Sequence, residues 1–140
     1  LSLESIMLYV LMVVLSLHVL SAVFWAGTSV ALARTGGLGG AKLFGPQMGA
    51  AVMAVITGAY LWSQLHAGGF GTAELVLAIG VVCALIAAGV QGRFGGTAIR
   101  ALRQGRIADV EVQPRIAAGQ RIAAPLLAVT VVCMVIARYL

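Results

Sequence analysis

Four long apolar runs divide the chain, separated by short stretches rich in glycine or arginine. The first extends from Ile6 to Ala33, the second from Phe44 to Leu65, the third from Ala73 to Val90 and the fourth from Ile122 to Leu140. A helix crosses the hydrocarbon core of a bilayer with about 20 apolar residues, so three runs have ample length and the third lies near the lower limit. None alternates with a period of two, as the strands of a membrane barrel would. In lipid, only helices and closed barrels satisfy the backbone. The pattern predicts four transmembrane helices, over about 6–33, 44–65, 73–92 and 122–140, in one all-α domain covering residues 1–140. The expected fold is an integral membrane four-helix bundle.

The connections have different characters. Thr35 to Gly40 (TGGLGG) and Ala67 to Thr72 (AGGFGT) read as glycine turns. Pro46 is expected in the first turn of helix 2, and Thr72 as the cap of helix 3 with Glu74 just inside it. Residues 93–121 read as a long basic loop. Within it, Thr97 to Ala108 has apolar residues at helical spacing. That piece is expected either to lie on the membrane as an amphipathic helix or to extend helix 3, and Asp109 to Pro114 is its most loop-like part. Helix 3 carries small residues at Gly80, Ala84, Ala88 and Gly92, and helix 2 at Gly45, Gly49, Ala54 and Gly58. Such spacing lets backbones approach closely and predicts that helices 2 and 3 pack on each other.

Composition supports the membrane reading: 61% of the 140 residues are hydrophobic and 9% charged. The net charge of +5 does not point to nucleic acid, because the cations lie between the apolar runs. Arg34, Lys42, Arg93, Arg100, Arg103, Arg106, Arg115 and Arg121 fall on one side of the predicted bundle, leaving only Arg138 on the other. By the positive-inside rule the basic side is cytoplasmic and both termini are outside, in the periplasm of a bacterial inner (plasma) membrane. The basic loop is expected to meet anionic lipids. Cys83 and Cys133 lie inside apolar runs without the spacing of a metal or redox motif. The first run is too long for the core of a signal peptide.

His18 is the residue that composition alone leaves unexplained. It stands in the middle of the first run, and an ionisable side chain at that depth marks a functional site by default. Trp25, seven residues on, shares its helix face. A neutral imidazole in a bundle core suits haem iron or copper as a ligand; a core histidine bonded to a neighbouring helix is the alternative. His66, at the outer end of helix 2, lies at the wrong depth to share one iron with His18. It is expected to be an interfacial ring, or part of a separate outer site with Gln64 and Glu74. The methionines are the other possible ligands: Met53 lies near the level of His18 and is a weak candidate second ligand, while Met12 and Met134 lie nearer the outside. The glycine turns lack the lysine and strand setting of a phosphate-binding loop. The interior has no Asp or Glu for a proton relay.

The stretch Leu17 to Gly27 (LHVLSAVFWAG) resembles the first helix of small bacterial membrane proteins of the HemJ-type protoporphyrinogen oxidase and CopD-type copper-resistance class. Gly58 to Leu61 (GAYL) is similar to a G-x-Y-L motif of that class, and Pro125 matches a proline near the start of helix 4. The resemblance implies a site drawn from His18, Trp25 and Arg34, with haem b as cofactor and copper as the alternative. The chain departs from the class at Glu74, where a lysine is expected. It departs again at Ile122 and Ala123, where an Asn-Glu pair is expected. These departures weigh toward a haem- or metal-binding relative over the oxidase itself. The leading expectation is therefore a small membrane protein that binds haem b or copper through His18 and supports redox chemistry or metal handling. The rival is a non-enzymatic subunit of a homo-oligomer or larger membrane complex. A small transporter ranks third, because transporters show polar groups at broken helices.

Overall fold

A computed structural model describes all residues, 1–140. It contains four helices and no strand: α1 Leu3–Arg34, α2 Gly40–Leu65, α3 Thr72–Arg103 and α4 Asp109–Ala137. Each is long and apolar enough to cross a membrane. The cross-helix contacts fix an up-down-up-down order. His18 of α1 meets Ala54 and Thr57 of α2. Gly80 of α3 meets Thr130 and Cys133 of α4. Gly37, just after α1, meets Gln113 of α4. The α1–α2 and α3–α4 turns therefore share one end of the bundle, here called the basic end.

Local chemistry explains the helix limits. Ser2 caps α1, its Oγ accepting the Ser5 N–H at 3.2 Å, and Arg34 sits in the last turn, where the helix dipole favours a cation. The chain then reverses through Gly36, Gly37 and Gly39, all with positive φ. At Gly37 a Cβ would also collide with the Gln113 carbonyl, so this turn is held against α4. Helix α2 begins at Gly40 rather than Phe44, which puts Pro46 beyond the first turn. The cap of α3 is Gly71, not Thr72; Glu74 reaches back and accepts the Gly71 N–H at 2.8 Å.

The largest departure from the sequence reading lies in residues 93–121. The expected basic loop is helical except at 104–108. Helix α3 continues to Arg103, one of the two outcomes expected for Thr97 to Ala108, while Asp109 to Pro114, expected as loop, opens α4. The cause is a second apolar cluster, in which Leu32, Ala98, Val112 and Ile116 pack together. Glu111 adds a cap by accepting the Ala108 N–H at 2.9 Å. At 1.5 Å per residue α3 is about 48 Å long, about 18 Å more than a bilayer core. The basic end of the α3–α4 pair thus projects as a helical hairpin.

The bundle is inverted relative to a soluble one. Large apolar side chains such as Leu8, Val13, Leu20, Val52, Val82 and Val132 point outward, while the buried positions are mostly alanine, glutamine and small residues. One layer joins Trp25, Ala51, Ala54, Ala84, Ala87, Ala123 and Leu127. The expected pairing of α2 with α3 through their small faces is not what forms. Gly45 and Gly49 have open space where a Cβ would be. At Gly80 a Cβ would lie 3.0 Å from that of Cys133, so α3 spends its small face on α4. The five-residue connection makes α3 and α4 an antiparallel hairpin along this face.

Candidate functional site

On the side of the alanine layer away from the basic end, all four helices line a cavity of about 890 Å³. Its floor is the layer itself, through Trp25, Ala54, Ala84 and Leu127. Its rim, at the end with the α2–α3 turn, includes Leu65, His66 and Arg138. The walls are nearly all apolar. The polar exceptions are His18, Thr130, His66, Arg138 and the two indoles, Trp25 and Trp62.

His18 projects from α1 into this space. Its Nδ1 lies 3.0 Å from the Ala54 carbonyl and 3.1 Å from Thr57 Oγ1. A carbonyl only accepts, so Nδ1 carries the hydrogen and donates it. The Thr57 hydroxyl is committed elsewhere, donating to the Met53 carbonyl at 2.6 Å, and it too receives from the imidazole. In this tautomer Nε2 keeps its lone pair, has no hydrogen-bond partner in the protein and is not buried. Metal-binding histidines are held in this way, one ring nitrogen on a carbonyl and the other free. Gly58 makes room for the ring: a Cβ there would lie 3.0 Å from His18 Cε1.

Beneath the floor lies a polar cluster that the sequence reading missed. Trp25 Nε1 donates to Gln91 Oε1 at 2.6 Å. Gln91 Nε2 donates to Ser29 Oγ at 2.7 Å and to Gln120 Oε1 at 2.8 Å. Gln120 Nε2 donates to Gln47 Oε1 at 2.7 Å, and Gln47 Nε2 reaches Thr28, Ser29 and Gln120. One amide each from α2, α3 and α4 is thus tied to α1 through Trp25, Thr28 and Ser29. No buried side-chain nitrogen or oxygen lacks a partner. The available signal is Gln47 and Gln91 inside predicted helices; Gln120 falls in the expected basic loop, so its place in the core carries no local signal. The cluster fixes the Trp25 indole and closes the cavity toward the basic end.

The other predicted site residues fare differently. Trp25 joins His18 in one cavity, as their shared face implied. Arg34 does not: it is exposed at the basic end, sixteen residues or about 24 Å along α1 from His18. Met53 is 43% exposed and faces away from the cavity, so it does not meet His18. His66 lies on the same cavity's rim, so it is not wholly separate from the His18 site. By helical rise it still sits about 12 Å beyond Gly58, which touches His18. Its Nδ1 is 2.7 Å from Glu74 Oε1, as an outer pair with Glu74 predicted; Gln64 bonds instead to Ser63. Two residues that sequence reasoning did not place in a common site, Met134 and Arg138 of α4, line the cavity. Nowhere do three His, Cys, Asp or Glu side chains converge as metal ligands would. No protein-family model, curated protein or solved structure matches the chain.

Proposed function

We propose that the protein binds haem b in the four-helix cavity, with His18 Nε2 as ligand to the iron. The observation that carries this reading is the His18 imidazole, held through Nδ1 by the Ala54 carbonyl with Nε2 free beside an apolar cavity of about 890 Å³. That volume lies within the range of cofactor and ligand sites. A porphyrin supplies four of the iron's donors itself, so one imidazole from the chain is a sufficient anchor. A copper ion would draw on more protein donors than His18 has around it. Arg138, at the rim, is a suitable partner for the cofactor's carboxylates, in place of the Arg34 that the family resemblance implied.

The bound group supplies one-electron redox chemistry. The chain's own residues hold and orient it. Gly58 admits the imidazole, Ala54 and Thr57 fix its tautomer, and Trp25 seals the floor above the glutamine cluster. The protein sits in the bacterial inner membrane with both termini outside, and its projecting basic hairpin lies in the cytoplasm against anionic lipid. The cation distribution supports that placement.

Haem content after expression with ample haem tests the reading. Wild type is expected to carry haem, His18→Ala to lose most of it while still inserting, and His66→Ala to retain it. A wild type free of haem under these conditions would contradict the assignment. So would a His18→Ala variant that carries as much haem as wild type.

A further inference from the structure

The cavity has a second side chain able to ligate iron, on α4. Gln47 and Gln91 each bond both Ser29 of α1 and Gln120 of α4, which sets Ser29 and Gln120 at about one level. His18 lies eleven residues from Ser29 and Met134 fourteen residues from Gln120, both away from the basic end. By helical rise Met134 therefore stands about 4.5 Å nearer the rim than His18. A helical side chain leans toward the N-terminus of its own helix, and α1 and α4 run in opposite directions, so His18 leans toward the rim and Met134 away from it, which narrows that difference. Both line the cavity.

The competing donors in the cavity are placed or occupied otherwise. His66 stands about 12 Å too far toward the rim by helical rise. The Thr130 hydroxyl has its one hydrogen shared between the Gly80 carbonyl at 2.9 Å and the Leu126 carbonyl at 3.0 Å. Cys133 is buried against Gly80 and does not line the cavity. The Met134 thioether has no polar partner and is only partly buried.

We propose that Met134 would supply, together with His18, the protein ligands that hold the iron. This rests on the haem reading above. A His/Met pair gives a six-coordinate, low-spin iron with a raised reduction potential, which suits electron transfer better than binding of an external ligand.

The test uses full-length protein loaded with haem and compares wild type, Met134→Leu and Met134→His by absorption and paramagnetic resonance spectra, with potentiometry. Wild type is expected to be low-spin in the ferric state, and its ferrous form to bind carbon monoxide slowly. Met134→Leu keeps the volume and removes the donor. It should retain haem through His18, become high-spin, bind carbon monoxide faster and show a lower potential. Met134→His should restore the low-spin spectrum at a potential below that of wild type. Loss of haem from Met134→Leu with recovery in Met134→His would equally support ligation. A Met134→Leu protein with full haem and an unchanged spectrum and potential would overturn this proposal and leave the His18 assignment standing. Loss of haem from both variants would also overturn it, since a packing role then accounts for Met134. A wild type without haem would overturn both.

Discussion

At the scale of single residues, the site depends on side chains whose hydrogen bonds are fixed before any ligand arrives. Ala54 and Thr57 set the tautomer of His18. Gln91 holds the Trp25 indole at 2.6 Å. Gln91 takes part in three bonds, two donated and one accepted, so its loss strands partners in a dry interior. Gln91→Leu leaves the Trp25 N–H without an acceptor and takes a donor from Ser29 and Gln120. An unsatisfied buried group costs about 1–3 kcal/mol. Interhelical bonds in membranes average about 0.6 kcal/mol, which argues for the lower part of that range. The melting temperature in detergent should fall accordingly, and replacing Gln47, Gln91 and Gln120 all by leucine should cost less than the sum of the single changes, because no amide is then left unpaired. Additive losses would speak against a shared network. His18 and Trp25 were legible from the sequence because a basic ring and an indole stand out in an apolar run. The glutamines were not, because an amide carries no charge and its worth depends on partners from other helices.

At the scale of helices, the four runs and the two glycine turns were readable, because the length of an apolar run and the backbone freedom of glycine are local properties. The continuation of α3 to Arg103 was one of the two outcomes that the apolar spacing of Thr97 to Ala108 allowed, but the early start of α4 at Asp109 was not readable. What holds those turns is a long-range cluster of Leu32, Ala98, Val112 and Ile116, which no local pattern displays. The choice of partner for α3 was also hidden. Small residues every fourth position mark a close approach without saying to which helix. The distinction can be measured. Gly80→Leu drives a side chain into Cys133 and Thr130 and should destabilise the protein by about 1–3 kcal/mol, the usual cost of overpacking. Gly45→Leu meets open space and should change stability little. The reverse ranking of the two melting temperatures would mean that α2, and not α4, is the close neighbour of its small-residue face.

For the whole molecule, the bundle is closed at the basic end by the glutamine cluster and the apolar cluster beyond it, and hollow toward the other end. The proposed membrane orientation rests on the cations, eight of nine of which lie toward the basic end. In a variant with Cys83 and Cys133 replaced by alanine, a single cysteine near Gly69 should react with an impermeant reagent added outside intact cells, and one near Arg103 should not. The opposite labelling would reverse the orientation and place the cavity rim in the cytoplasm.

The central claim is that the cavity takes haem through His18, and its walls contain a built-in reporter. The chain has two tryptophans, Trp25 and Trp62, and both line the cavity. Haem added to haem-free purified protein should quench nearly all tryptophan fluorescence, reaching its endpoint at one equivalent. In His18→Ala the same titration should require at least about tenfold more haem, a difference of about 1.4 kcal/mol in binding. Quenching that never saturates, or that follows the same curve in wild type and His18→Ala, would contradict the account.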